Sequence, residues 1–208
     1  MVHTARRKVV AVPKLTRDFY ERDTLLVARD LLGKYLVHRV DGVPLCGRIT
    51  ETEAYIGRMD KACHAYGYKR TPRTQTLFSP PGTAYLYLIY GMYHCLNFVT
   101  EPEGEPCAVL LRAVEAAEAA EGAEFMAQNR FGCGLSALTP YQRKNFLNGP
   151  GKVCRAFSLT RAQNGLDLTG DTLFLWDAGE TPEQIHVGKR IGIDYAEEAA
   201  DFPWRFYL

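Results

Sequence analysis

Apolar residues at helical spacing, followed by strand-like alternation, predict a helix and then a hairpin in the first quarter of the chain. The helical stripe covers residues 25–32, begins after the N-cap candidate Asp23 and stops at Gly33. Residues 35–40 then read as a strand that leads into Asp41-Gly42, a dipeptide typical of a two-residue hairpin turn.

The second arm of this hairpin carries two acidic residues among apolar ones. It continues through Arg48-Ile49-Thr50-Glu51-Thr52-Glu53-Ala54-Tyr55. Strict period-two alternation predicts that Ile49, Glu51, Glu53 and Tyr55 share one face, with the two carboxylates about 6–7 Å apart.

The rest of the chain mixes short strands with helices, which predicts an α+β fold. Residues 56–82 are rich in glycine and proline and predict irregular structure. Strands are predicted at 83–90, 94–99, 109–111 and 173–176, and helices at 113–128 and 153–159.

Length and composition predict one ordinary globular domain. The chain has 208 residues, of which 47% are hydrophobic and 24% charged. We expect a mobile basic tail over residues 1–14 and a single domain over 15–208. The net charge of +1 gives no global sign of a nucleic-acid partner, so such a partner must be recognised by local sites.

Neither a secretory leader, a membrane span nor a metal-binding motif can be recognised in the sequence. The apolar run after the first basic residues is too short for a signal peptide, and residues 84–99 are too polar to cross a bilayer. The six cysteines are scattered without a Cys-x-x-Cys pair. We therefore expect a cytoplasmic protein with reduced cysteines, no metal and no cofactor.

Glu51 and Glu53 are the first candidates for chemistry. Carboxylates on an apolar strand are costly to bury unless they are paired or used, although a half-exposed strand would explain them equally well. Two acids at this separation are compatible with glycoside hydrolysis. Tyr55 could form the floor of a site for a flat ligand, and Arg112, which follows an apolar run, needs a carboxylate partner such as Glu53.

Four tyrosines within nine residues form a second candidate group. Tyr85 and Tyr87 share a face of their predicted strand, while Tyr90, Met92 and Tyr93 crowd the tip of the predicted turn. A packed β core would explain the first two. Large side chains at a hairpin tip are also what a wedge inserted between base pairs would require. The residues alone leave both interpretations open.

Cations and a histidine lie near these elements. Lys69, Arg70 and Arg73 cluster in the irregular segment, and Lys152 stands at the start of a predicted helix. Such positions suit contacts with phosphate, although most surface cations are simply solvated. His64 follows the strand that carries Glu53, and a lone histidine is more often structural than functional.

Several motifs taken in order resemble the alkyladenine DNA glycosylase family, the 3-methyladenine DNA glycosylases of the mammalian type. The resemblance covers about residues 15–208, and its most specific parts are Arg-Ile-Thr-Glu-Thr-Glu-Ala-Tyr and Tyr-Leu-Ile-Tyr-Gly-Met-Tyr. Segments 109–112, 148–152 and 190–193 also match. It implies one compact α+β domain, built on a curved antiparallel sheet with surrounding helices and a protruding β-hairpin that intercalates into DNA.

The resemblance also implies roles for individual residues around a flipped base. Glu53 matches the general base that activates water, and Arg112 matches the residue that holds this water. Tyr55, His64 and Tyr87 match positions that sandwich and hydrogen-bond the base.

Two further matches concern selectivity and extrusion. Asn97 matches the residue that disfavours the exocyclic amino group of guanine. Tyr90 matches the intercalating tyrosine, and a backbone carbonyl near Ile191 is implied to contact the water. We expect Met92, Tyr93, Arg73 and Lys152 to bind DNA beside it.

The implied reaction is hydrolysis of the N-glycosidic bond of alkylated or deaminated purines in double-stranded DNA, leaving an abasic site without lyase activity. The candidate substrates are 3-methyladenine, 7-methylguanine, hypoxanthine and ethenoadenine. We expect a monomer in the cytoplasm, associated with the nucleoid if the source is bacterial. A carbohydrate-active glycoside hydrolase using Glu51 and Glu53, and a non-catalytic minor-groove binder, are the alternatives.

Overall fold

In the computed structural model, which describes residues 13–117 and 120–208, eight strands form one antiparallel sheet. The strands are β1 (Tyr35–Val40), β2 (Val43–Ile56), β3 (Ala84–Ile89), β4 (Tyr93–Thr100), β5 (Cys107–Ala116), β6 (Leu173–Trp176), β7 (His186–Gly188) and β8 (Arg205–Tyr207). The helices among these residues are α1 (Arg17–Tyr20), α2 (Thr24–Asp30), α3 (Ala120–Phe131), α4 (Pro140–Lys144) and α5 (Pro150–Ala156). The predicted α+β class is confirmed.

The long strand β2 lies at the centre of the sheet. The main order is β3-β4-β5-β2-β1-β6, and β8 pairs with the second half of β2, beyond the end of β1. Because β5 and β8 flank residues 51–53 on both sides, this part of β2 is an interior strand whose side chains can be shielded from water.

The first hairpin forms as the sequence predicts. Val40 pairs with Val43, and the two turn residues Asp41 and Gly42 have φ of 49° and 84°. Positive φ at both central positions is the signature of the turn that matches strand twist, and Asp-Gly is favoured there. The side chain of Asp23 caps α2 by accepting from Leu25 N–H and Leu26 N–H, at 3.0 and 3.1 Å.

The two faces of the sheet have different environments. On one face, the main core includes Leu96 and Phe98 of β4 and Val109 and Leu111 of β5, packed against α2 and α5. The alternate residues of the same strands, such as Leu110, point to the opposite face, where a cavity opens. The helices therefore stabilise the sheet from one side and leave the other side for the site.

The prediction that Ile49 shares a face with Glu51, Glu53 and Tyr55 is wrong. Ile49 is fully buried in the main core, whereas the two glutamates lie on the cavity side with Arg112. The register of β2 against β5 shifts on both sides of Glu51. Such an irregularity changes which face a side chain occupies, and simple alternation does not foresee it.

The predicted helix over residues 113–128 is wrong in its first part. Residues 113–116 belong to β5, which pairs with Gly47–Ile49 of β2, and α3 begins only at Ala120. Strand pairing overrides the helix propensity of this Ala/Glu-rich segment. Arg112 consequently lies within a strand and does not terminate it.

Most of the predicted N-terminal tail, residues 1–12, lies outside the described residues. Its last residues are in contact with the sheet: Pro13 O accepts from Asp177 N–H, and Lys14 forms a bridge with Trp176. No helix in the described part of the chain is long and apolar enough to cross a membrane.

Candidate active site

A cavity of about 540 Å³ lies on the face of the sheet opposite the main core. Its size falls within the range of small-molecule sites, and aromatic side chains with a few polar groups line it. The lining includes Tyr55, His64, Tyr87, Asn97, Arg112 and Lys152, all of them predicted site residues.

Glu53 is fully buried beneath this cavity, behind Tyr55, Arg112 and Ile191, which contact it and line the cavity. Its Oε1 accepts a hydrogen bond from Ile191 N–H at 2.8 Å and lies 3.3 Å from Arg112 Nη1. Its Oε2 accepts from the Tyr55 hydroxyl at 2.8 Å. An ionised carboxylate has about four acceptor positions, so these three donors leave one on Oε2 for a further donor such as water.

The environment of Glu53 favours a carboxylate that can take up a proton. Burial raises the pKa of Glu53 above the usual value for a glutamate, while Arg112, the Ile191 N–H and the Tyr55 hydroxyl oppose that shift. Burial, together with the Glu53 carboxylate, also raises the pKa of Tyr55 well above its usual value. Tyr55 therefore remains a phenol that donates to Glu53.

Glu51 occupies a different environment from Glu53. Its Oε1 accepts from Arg112 Nε at 3.2 Å and from Arg205 Nη1 at 2.9 Å. Arg112 thus bridges the two carboxylates, as its predicted partnership with Glu53 requires. Because two arginines hold Glu51, it is poorly suited to act as the second acid of a glycoside hydrolase.

A buried ion pair supports the floor of the cavity from behind. Asp60 and Arg190 have fully buried side chains and form two hydrogen bonds of 2.5 and 2.8 Å. Arg190 also donates to the Ala54 carbonyl at 2.9 Å, and its Cζ lies 4.6 Å from the centre of the Tyr55 ring. The pair therefore fixes both Tyr55 and the backbone that presents the Ile191 N–H to Glu53.

Aromatic rings form the walls above the floor. The His64 ring lies 4.5 Å from the Tyr87 ring in an edge-to-face arrangement, and Tyr85 lies 5.3 Å from Tyr87. Tyr55 packs against the small apolar cluster that contains Tyr85. The structure thus brings together the three residues predicted to sandwich a base, Tyr55, His64 and Tyr87.

His64 is neutral at physiological pH. Burial, and to a lesser degree the cation of Arg73, lower its pKa to about 4. Arg73 Nη2 lies 3.5 Å from His64 Nε2, and an arginine can only donate, so Nε2 is the acceptor. The proton is then on Nδ1, which donates to the Tyr85 hydroxyl oxygen at 3.1 Å.

Asn97 is buried within β4 and lines the cavity. Its Nδ2 donates to the Tyr85 carbonyl at 3.3 Å, so the orientation of the amide is fixed by the neighbouring strand. A fixed amide in an otherwise apolar wall can discriminate between ligands by their exocyclic groups.

The β3–β4 turn presents large side chains to solvent. Tyr90 is 78% exposed, Met92 66% and Tyr93 44%. Tyr90 and Gly91 have φ of 52° and 69°, and Met92 N–H closes the turn on the Ile89 carbonyl at 3.2 Å. The alternative that the tip residues belong to a packed core is therefore wrong.

The two predicted cations contact different elements: Arg73 packs on Tyr87, and Lys152 lines the cavity. Arg73 is exposed, and its Cζ lies 5.2 Å from the centre of the Tyr87 ring. Lys152 lies in the first turn of α5, where its Nζ donates to Asn145 Oδ1 at 3.1 Å and to Asn148 Oδ1 at 2.7 Å. Within residues 13–117 and 120–208, no group of three or more His, Cys, Asp or Glu side chains could hold a metal ion.

Comparison with known proteins identifies the family. A family model described as methylpurine-DNA glycosylase matches residues 18–208. The chain belongs to the methylpurine-DNA glycosylase family. This confirms the family that the motifs predict, and with it a DNA repair glycosylase of alkylated purines that hydrolyses N-glycosyl bonds.

Curated bacterial relatives of this glycosylase match it along almost their whole length. The chain is 52% identical over 195 residues to a protein of Desulfitobacterium hafniense. The aligned residues make up 94% of this chain and 95% of the relative. It is 51% identical over 195 residues to a protein of Clostridium acetobutylicum, covering 94% of each. Both relatives are provisionally named 3-methyladenine DNA glycosylases.

Sequence reasoning missed two groups of residues in the glycosylase site. Asp60 and Arg190 are 130 positions apart, and no local pattern connects them. Arg130, which lines the cavity, lies in the last turn of α3, beyond the end of the helix predicted over residues 113–128. Arg190 does lie in the segment 190–193 that matches the family, but neither its role nor its partner Asp60 follows from that match.

Proposed function

We propose that the protein extrudes an alkylated purine from double-stranded DNA into the cavity and hydrolyses its N-glycosidic bond with Glu53 as the general base. The observation that carries this proposal is a fully buried carboxylate bonded to three donors, Tyr55, Arg112 and the Ile191 N–H, whose residues line a cavity with aromatic walls. Family membership supplies the reaction class.

The chemistry requires a group that both favours cationic character on the sugar and takes a proton from water. As the bond between the base and C1′ breaks, positive charge develops on the sugar, and the Glu53 carboxylate stabilises that charge. Water then adds to C1′, and its proton passes to Glu53. Arg112 contacts Glu53 and borders the cavity, so it is placed to orient this water.

The aromatic walls suit a purine that has left the stack. Tyr55 and Tyr87 are placed to stack on the base, and a cationic alkylated purine gains additional attraction from their ring faces. His64, as a neutral imidazole held between Arg73 and the Tyr85 hydroxyl, is placed to pack against the base. Asn97 is placed to oppose the exocyclic amino group of guanine.

The exposed turn provides a means of extrusion. Tyr90 and Tyr93 line the cavity, Met92 lies beside them in the turn, and all three side chains are exposed. We assign Tyr90 to fill the gap left in the stack, because an aromatic ring recovers part of the stacking that is lost. Arg73 and Lys152 are placed to contact phosphates.

The remaining parts of the proposal concern the state and place of the enzyme. We propose that it acts as a monomer in the cytoplasm, at the nucleoid, where its DNA substrate is found. Among the described residues, Lys152 is the one lysine that lines the cavity, and its ammonium group donates to Asn145 and Asn148, so we assign it no role as a Schiff base. The product is therefore an intact strand with an abasic site.

The test is release of base from a panel of otherwise identical duplexes. Each duplex carries 3-methyladenine, 7-methylguanine, hypoxanthine or ethenoadenine, and an undamaged duplex is the control. We expect release of at least one alkylated purine and no strand break before alkali treatment. Tight binding without release from any duplex would instead support a non-catalytic binder, and strand cleavage without alkali would contradict the monofunctional mechanism.

A further inference from the structure

Three cations lie near the exposed turn: Arg130 and Lys152 line the cavity, and Arg155 lines a smaller neighbouring pocket together with Tyr93. Arg130 ends α3, and Lys152 and Arg155 lie on α5. Arg130 Nη2 donates to the Asn145 carbonyl at 3.4 Å, and Lys152 Nζ contacts the side chain of the same residue at 3.1 Å. The two charged ends therefore lie within a few ångströms of each other. We call Arg130, Lys152 and Arg155 the basic cluster.

Among the described residues, the hydrogen bonds of the basic cluster all go to neutral oxygen atoms. Arg130 Nε donates to the Phe146 carbonyl at 3.2 Å, and Arg155 Nε donates to the Asn129 carbonyl at 3.1 Å. No Asp or Glu oxygen in the described part of the chain lies within 4.0 Å of any of the three charged groups. Both guanidinium groups and the ammonium group keep N–H donors that these contacts do not use.

Like charges at this distance repel, and the protein does not neutralise them. Burial and, after it, the cation of Arg130 lower the pKa of Lys152. Burial and then Arg155 lower the pKa of Arg130. An anion bound among the three would remove this repulsion and would gain from all three charges at once.

The basic cluster is continuous with the mouth of the cavity. Arg130 and Lys152 both line the cavity, together with Tyr90 and Tyr93. Gly151 lies so close to Tyr93 that an added Cβ would stand 3.0 Å from the tyrosine side chain. The first turn of α5 is thereby packed directly against the β3–β4 hairpin, and an anion held there would be next to the nucleotide that enters the cavity.

We propose that Arg130, Lys152 and Arg155 together form a binding site for backbone phosphate of DNA, beside the extruded nucleotide. The inference rests on the proposed function, which supplies the polyanion. It adds two residues that the sequence does not single out and joins Lys152 to them as one site. A favourable interaction with the C-terminal end of α5 would explain Arg155 alone, but it explains neither Arg130 nor Lys152.

The test is the salt dependence of binding to an undamaged 20-base-pair duplex. Each neutralised phosphate contributes about 0.9 to the slope of log Kd against log salt concentration, so a variant that loses one contact loses about that much slope. We compare Arg155→Gln and Lys152→Gln, singly and together, with Arg155→Lys, which keeps the charge. Arg39→Gln is the matched control, because Arg39 is an exposed cation on β1 without a carboxylate partner among the described residues.

We expect each single Gln variant to reduce the slope by about 0.9, which corresponds to one phosphate contact, and the double variant to reduce it by about twice that amount. Arg155→Lys should retain the slope of the unaltered protein. Melting temperature should not change in Arg155→Gln, since its side chain is exposed. An unchanged slope in both Gln variants, or an equal decrease in Arg39→Gln, would overturn the proposal. Base release by the unaltered enzyme is measured in parallel, so failure of the glycosylase function is seen separately.

Discussion

The charged groups beneath the cavity differ from those at its mouth in whether the protein itself pairs them with opposite charges. The floor, formed by Glu51, Glu53, Arg112, Asp60 and Arg190, contains only charges that are paired within the protein. The mouth, formed by the basic cluster and the exposed tip of the β3–β4 hairpin, holds cations without a carboxylate among the described residues and aromatic rings in water. Removing one partner of a buried pair costs several kcal/mol, whereas an exposed cation costs little.

The paired charges of the floor stabilise the folded protein, whereas the unpaired cations of the mouth are available to bind the substrate. The buried charges of the floor must be paired within the protein before DNA binds, because water does not solvate them. The mouth can be left unmatched until a polyanion covers it. The net charge of +1 conceals this arrangement, since many cations elsewhere, such as Lys14, Lys61 and Lys189, are cancelled by acidic neighbours. Partner recognition is thus better judged from unpaired charge than from total charge.

The largest expected effect comes from neutralising the base at the floor. Glu53→Gln should lower the single-turnover rate of base release by about 10²–10⁴ while binding to the lesion duplex is retained. In the unaltered enzyme the rate should fall as pH decreases through the pKa of Glu53, which burial raises, because a protonated base cannot accept a proton from water. The Gln variant should lack this acidic limb. Glu51→Gln is the control and should be milder; excision by Glu53→Gln near the normal rate would exclude Glu53 as the base.

The next effect tests the buried pair as a structural requirement of the floor. Asp60→Asn leaves the Arg190 cation buried without its carboxylate, so we expect the free energy of unfolding to decrease by about 3–5 kcal/mol. Urea denaturation measures this decrease. Asp201→Asn is the matched control, because the adjacent Lys189–Asp201 pair is exposed, with side-chain exposures of 68% and 73%. Similar midpoints for the two variants would show that burial does not distinguish the pairs.

The mouth should behave differently from the floor. Tyr90→Ala should slow excision from duplex DNA by about 10- to 100-fold, because stacking by one aromatic ring contributes about 1–3 kcal/mol. The defect should shrink on single-stranded DNA, where there is no partner stack to replace, and the melting temperature should stay constant because Tyr90 is 78% exposed. Tyr141→Ala, at a tyrosine that is 76% exposed outside the cavity lining, is the control. Equal losses on both substrates with a lower melting temperature would refute the wedge.

The smallest effect concerns a wall residue between these two regions. Asn97→Ala should raise excision of guanine lesions relative to adenine lesions by about 10-fold, because a single steric or polar mismatch in a pocket is worth about 1–3 kcal/mol. The ratio of the two single-turnover rates measures this change, and Asn97→Ser is a second variant that removes the amide but keeps a polar group. If the ratio stays constant in both, selectivity against guanine depends on other residues.

The sequence predicts those features that depend on neighbouring residues. Asp41-Gly42 defines a hairpin by itself, and the motif around Glu53 brings this carboxylate and Tyr55 together on one strand. Features that depend on distant partners are not predictable in this way. Ile49 changes face because residues around Glu51 pair irregularly with β5, and residues 113–116 extend a strand because β2 lies beside them. Asp60 meets Arg190 only after the whole sheet has formed.

The backbone at Tyr90 has a consequence for protein engineering. Asp41 and Gly42 occupy the first hairpin turn with φ of 49° and 84°, and Tyr90 and Gly91 adopt nearly the same values of 52° and 69°. Asparagine, aspartate and glycine tolerate the first position of such a turn, whereas a left-handed conformation costs a bulky residue about 1–2 kcal/mol. A library sorted for heat resistance would therefore enrich Tyr90→Asn or Tyr90→Gly, and one sorted for survival of alkylation damage would retain the tyrosine. Sequencing both libraries at this one codon would show which requirement dominates.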